Sequence, residues 1–156
     1  MKFKLNVLAS ILLVGLGLTQ DHLQSKPNKK LNDYEQAAAS TMRTLNTAVL
    51  TYSVNFKDIG NPPSLQSMAV NPENESEASP QHAGLLTREF GCPQPSCVFH
   101  GYVFSYKREK TGYVISGRPQ KYGEQGKISF FSDGTLVIRS TTDDRPATAK
   151  DPVFAD

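Results

Sequence analysis

The sequence predicts an α+β domain in which one long N-terminal helix packs on a four-stranded antiparallel sheet. Three observations carry that expectation. An apolar stripe at helical spacing fills 32–56, alternating apolar runs begin at Tyr102, and turn-forming residues punctuate those runs. At 156 residues the chain holds enough material for one core.

The helix comes first. Tyr34, Ala38, Met42, Leu45, Val49, Tyr52 and Phe56 recur at intervals of three or four and so share one helical face. Glu35, Arg43, Asn46 and Ser53 fall off that face. Asn32 suits an N-cap, and Glu35 three positions on completes a capping box. Each large side chain buried from such a stripe contributes about 1.5–3 kcal/mol, so the stripe calls for a cover. Gly60 and the Pro62-Pro63 pair end the helix. Ser64 then caps a short apolar turn, and 71–82 is acidic, bounded by proline and exposed.

The strands supply the cover. Tyr102, Phe104 and Tyr106 alternate with Val103 and Ser105, a polar turn occupies 108–112, and 113–116 returns as the second arm of a hairpin. Residues 118–126 form a loop. The runs 127–132 and 135–140 flank Asp133-Gly134, which predicts a tight type I′ hairpin with Ile128 and Phe130 on one face and Leu136 with Ile138 on one face. Packing explains the tyrosine-rich strand, but Tyr102 and Tyr106 are also the residues that an exposed ligand or glycan surface would use.

Outside the domain core, 1–20 places Lys2 and Lys4 before an apolar run at 5–18, the pattern of a signal peptide. That run is short for a spanning helix, which needs about 20 residues, so retention as an anchor is the second reading. Residues 21–31 form a polar tether, 32–140 the globular domain and 141–156 a polar, frayed C-terminal tail. The expected localisation is therefore periplasmic or extracellular, with or without an inner-membrane tether.

Cys92 and Cys97, behind an export signal, most simply close a disulfide loop that contributes about 2 kcal/mol through chain entropy. Cys92, Cys97 and His100 as metal ligands form the competing reading, which lacks a fourth ligand, so no metal or cofactor is expected. Asp143 and Asp144 carry the oxygen donors calcium prefers, but a solvated acidic pair is the better account of them. No nucleotide-binding or nucleophile-elbow motif occurs, and His22, His82 and His100 lie in separate segments, so no catalytic residues are expected. Without Lys2 and Lys4 the formal charge falls from +2 to zero, which removes the electrostatic case for a nucleic-acid partner.

The order of several short pieces is distinctive. Arg43-Thr44-Leu45-Asn46-Thr47-Ala48 and Tyr52 are followed by Pro63-Ser64-Leu65, Gly84-Leu85-Leu86 and Gly101-Tyr102-Val103-Phe104-Ser105-Tyr106. Gly112-Tyr113, Phe130-Phe131-Ser132-Asp133 and Val137-Ile138-Arg139 complete the set. The set resembles the globular part of bacterial type IV pilin-like proteins and type II secretion pseudopilins. The resemblance implies a pilin-like helix-on-sheet fold, export, no enzymatic activity, and partners among envelope or secretion-system proteins. The prepilin N-terminal motif is missing, and polar residues at 19–31 separate the apolar run from the domain helix. The chain is accordingly not expected to build a filament by itself.

Overall fold

The computed structural model describes residues 30–92 and 95–155. The expected leader at 1–20 and nearly all of the tether at 21–31 lie outside the described residues.

Helix α1 spans Asp33–Asn55. Asn32 Oδ1 accepts the Glu35 N–H at 2.8 Å and Glu35 Oε2 accepts the Asn32 N–H at 3.1 Å. This capping box satisfies donors that every helix start leaves open. Ala38, Met42, Leu45, Val49 and Tyr52 are buried beneath the sheet. The two ends of the expected stripe are not. Tyr34 is 46% exposed and lies over the backbone of Gly101, and Phe56 is a part-buried C-cap outside the helix. Conversely, Glu35 and Asn46 are buried although periodicity puts them off the apolar face. Each is accepted because it bonds across to the sheet side. Glu35 Oε1 accepts the Lys127 N–H at 2.9 Å, while Asn46 Nδ2 donates to the Leu136 carbonyl at 3.2 Å and its Oδ1 accepts the Ser132 hydroxyl at 3.0 Å.

A short helix α2, Leu65–Met68, and a 3₁₀ turn, Arg88–Phe90, follow α1. The strands are β1 Ser96–Phe99, β2 Tyr102–Glu109, β3 Gly112–Pro119, β4 Ser129–Asp133 and β5 Arg139–Thr141. They form one antiparallel sheet in chain order. Tyr102, Phe104, Tyr106, Tyr113, Ile115 and Phe130 bury the face turned toward α1. Gly126 lets this interface close, because a Cβ there would collide with the Tyr102 hydroxyl and come within 2.9 Å of Glu35 Cγ.

The expected fold, a long helix on a four-stranded pilin-like sheet, is thus corrected: the sheet has five strands and the helix stops at Asn55. The extra strand is β1, hidden in the sequence inside the cysteine loop. Its turn into β2 is His100-Gly101, with φ of 46° and 75°. Two positive φ values across a connection of this kind are what a type I′ hairpin requires, and histidine tolerates that region better than most residues. The Asp133-Gly134 hairpin is also corrected. Asp133 Oδ1 accepts the Thr135 N–H at 2.9 Å and the Asp133 carbonyl accepts the Leu136 N–H at 2.9 Å. That local side-chain bond forms a wider turn, places Leu136 at φ 64°, and delays β5 until Arg139.

The C-terminal segment is folded rather than frayed. Ser140 N–H donates to the Pro152 carbonyl at 3.0 Å and Phe154 N–H to the Ile138 carbonyl at 2.9 Å, closing the β5 edge. The Phe154 ring meets Phe130 edge-on at 5.1 Å. Arg145 fastens the intervening loop by donating to Asp151 Oδ2 at 2.9 Å and to Asp143 Oδ2 at 3.1 Å. The Asp151 carboxyl is consequently held below the usual carboxylate range, chiefly by the Arg145 guanidinium.

Leu45 is 0% exposed whereas Leu50, on the same helix, is 52% exposed. Leu45→Ala should cost about 2–5 kcal/mol in denaturant unfolding, and Leu50→Ala should stay within about 0.5 kcal/mol. Equal effects would contradict the packing of α1 on the sheet.

Candidate functional site

Tyr102 and Tyr106, the residues available for a ligand surface on the sequence, are core residues. Their exposures are 0% and 4%. The Tyr102 hydroxyl donates to the Ile128 carbonyl at 3.0 Å, and that of Tyr106 to the Pro62 carbonyl at 2.8 Å. Burial pushes both phenols far above their ordinary range, and pushes Tyr113 up to about 12. The ring of Tyr113 stacks on Tyr106 with centroids 5.9 Å apart. None of these rings offers a face to a glycan.

Cys92 and Cys97 form a disulfide with Cα atoms 6.0 Å apart. Both sulfurs are therefore committed, and the competing set with His100 loses two of its three ligands. Asp143 pairs with Arg145 at 3.1 Å and Asp144 with Arg118 at 2.9 Å, so each acidic residue near the last strand faces a guanidinium. Among the described residues no cluster of three or more histidines, cysteines and carboxylates has metal-holding geometry.

A groove of about 340 Å³ lies between α1 and the segment that carries the 3₁₀ turn. Ala37, Ser40, Thr41 and Thr44 form the α1 wall, Leu85, Leu86, Thr87 and Phe90 the other, and Phe99 with His100 closes the β1 end. The walls are more apolar than their composition suggests. Thr41 Oγ1 donates to the Ala37 carbonyl at 2.8 Å and Thr44 Oγ1 to the Ser40 carbonyl at 3.2 Å, which engages both hydroxyl protons within the helix. Phe90 and Phe99 pack together with centroids 5.1 Å apart, and Phe99 meets the His100 imidazole edge-on at 4.2 Å. Glu89 stands beside this end. Its carboxyl is held below the ordinary range, first by the Thr87 hydroxyl and its own backbone N–H, then by His100 and Arg88.

Chemically, this groove suits apolar side chains. Its one titratable wall residue is His100, and of its hydroxyls that of Thr87 meets the Glu89 carboxylate. Sequence reasoning missed it because its walls come from distant segments. The Leu85-Leu86 pair and Phe99 were the available signals, and neither has a periodicity to place it. A second apolar exposure lies at Leu50 and Leu136, 52% and 42% exposed, along the groove lined by Arg43, Asn46, Thr47 and Ile138.

Among the described residues no helix is long and apolar enough to cross a membrane. Comparison of the chain with protein-family models, with curated proteins and with solved structures finds no match.

The buried phenols set an alkaline limit. The unfolded chain ionises Tyr102, Tyr106 and Tyr113 near pH 10, while the folded chain keeps them protonated to higher pH. The native state thus binds more protons above pH 10, and stability should fall from there toward about 12. Chemical denaturation across this range should show the decline, and Tyr113→Phe should make it shallower. An unchanged slope in that variant would contradict the burial assigned to Tyr113.

Proposed function

We propose that this chain is a non-catalytic, exported module that acts through protein contacts in the cell envelope, as parts of type IV pilus and type II secretion assemblies do. The observation that carries the reading is the groove at the β1 end, a surface with an organised shape and mostly apolar walls. Two further features support it. The apolar run at 5–18 behind Lys2 and Lys4 has the pattern of an export signal, and the Cys92–Cys97 disulfide suits an oxidising compartment. The ordered resemblance to pilin-like and pseudopilin sequences supplies the class of partner.

Contact rather than polymerisation is the role that fits the chain. Filaments of the pilin type are held by long apolar helices continuous with the domain. Here a polar stretch at 19–31 precedes α1, which begins only at Asp33.

Fractionation of native cells with thiol titration of the denatured, unreduced protein tests the reading. The protein should be recovered outside the cytoplasm, soluble or membrane-attached, with no free thiol. Recovery from the cytoplasm with both thiols free would overturn export. Co-purification with sheared filaments as a stoichiometric subunit would overturn the non-polymerising role.

A further inference from the structure

The two edges of the sheet are treated differently. The β5 edge is closed by the chain itself, with Val153 bridged to Arg139 and Phe154 turned against Phe130. Among the described residues the opposite edge, β1, pairs with β2 alone. Its pairing fixes which groups face outward. Tyr106 N–H donates to the Pro95 carbonyl at 3.2 Å, so the bonded positions of the register are Pro95, Cys97 and Phe99. Ser96 and Val98 alternate with them and turn their N–H and carbonyl groups away from β2; the Ser96 carbonyl meets Cys92 Sγ at 3.4 Å, which leaves the pair on Val98 as the open one. Val98 is 54% exposed, and no described residue bonds its backbone groups.

Exposed edges are ordinarily blunted by charge, proline or a bulge within the strand. Ser96, Cys97, Val98 and Phe99 include no charge and no proline, and their register with β2 is unbroken. The Cys92–Cys97 disulfide and the His100-Gly101 turn hold the strand from both ends. The groove begins where this edge ends, because Phe99 belongs to both.

We propose that the β1 edge is a strand-addition site for an extended, uncharged peptide segment of a partner protein, with one bulky apolar side chain seated in the groove. Directly paired residues of antiparallel strands share a face. The peptide residue opposite Phe99 therefore points into the groove, and the one opposite Val98 lies beside Val98 on the outer face. The chain's own C-terminus is the template for such an occupant: an extended segment closes β5 by backbone bonds while Phe154 packs inward. A second copy of the chain fits less well. Two four-residue strands paired about Val98 would bury only a small part of the roughly 1,200 Å² that a stable interface needs, and would leave both grooves unfilled. The peptide gains backbone bonds and groove burial together, the division of labour seen in strand addition. The proposal rests on the protein-contact reading and assigns it a surface.

The test uses the purified domain and a random heptapeptide library displayed on phage. Selected peptides, made synthetically, should carry a large apolar residue and protect the Val98 amide from hydrogen exchange. Val98→Pro removes an outward N–H at an edge position in extended backbone, where proline is tolerated, so β1–β2 pairing and the thermal midpoint should survive while peptide affinity falls at least tenfold. Val98→Lys, which keeps the N–H and adds charge to the edge, should also weaken binding. Thr44→Trp, on an exposed helix position at the groove wall, should do the same by filling the groove. Failure to enrich any peptide, or peptides that bind Val98→Pro as well as the parent, would overturn the assignment. A concentration-dependent dimer abolished by Val98→Pro in sedimentation would replace the peptide with a second copy and overturn the occupant. A native partner crosslinked through Leu50 or Leu136, and retained by Val98→Pro, would sink the edge site while leaving the protein-contact reading intact.

Discussion

The packing of this domain depends on one buried carboxylate. Glu35 accepts the N–H of Asn32, which starts α1, and the N–H of Lys127, which leads into β4. A charge at 4% exposure is tolerable because both oxygens are engaged and because the helix N-terminus carries positive partial charge. The same contact sets the pitch of the helix over the sheet. With Glu35 tied to the loop before β4, Met42 Sδ lies over Gly117 beside the Phe104 ring, Leu45 and Val49 are buried farther along the helix, and Gly126 clears the space the carboxylate needs. Asn46 repeats the device farther along, joining α1 to Ser132 and to the Leu136 carbonyl. The helix is thus positioned by polar bonds at two points and stabilised by apolar burial between them.

That arrangement distributes order unevenly across the sheet. At the β5 side, Arg145, Asp151 and Thr148 brace a loop that brings Val153 and Phe154 onto the edge. Leu136 is kept in a left-handed conformation, which costs a non-glycine residue roughly 1–3 kcal/mol, by its N–H bond to the Asp133 carbonyl and by the Asn46 amide on its own carbonyl. At the β1 side a disulfide substitutes for these contacts. It stiffens a strand that packs on the 3₁₀ turn and Phe90.

How much of this could be read from the sequence follows from the range of each signal. The Asn32–Glu35 capping box is local, three residues apart, and its chemistry is written in the side chains. The alternation of Tyr102, Phe104 and Tyr106 announced a shared face. What it could not decide was whether that face met solvent or helix, because tyrosine suits both, and the Pro62 and Ile128 carbonyls that accept two of these hydroxyls come from far away in the chain. Glu35 and Asn46 defeated periodicity for the same reason: their partners are Lys127, Ser132 and Leu136. Strand β1 was obscured because cysteines and prolines spoke for a loop, and the His100-Gly101 turn is a rarer form of the Asn-Gly signal. Asp133-Gly134 was the opposite case, a strong local signal redirected by an Asx bond to Thr135. The groove was beyond reach altogether, since no local pattern links Ala37 and Thr44 to Leu85 and Phe99.

An uncharged open edge beside an apolar groove is an awkward feature for a protein to keep. It invites pairing with the wrong chain, and the usual remedy, a lysine in the strand, would be a single substitution at Val98. The fold limits the hazard in other ways. β1 is only four residues long, its twist is fixed by a tight turn, and the disulfide prevents it from peeling away to pair more extensively. Where an edge needs no partner, at β5, the chain closes it with its own terminus. The contrast between the two edges is therefore best understood as a division between a side completed in cis and a side left to be completed in trans.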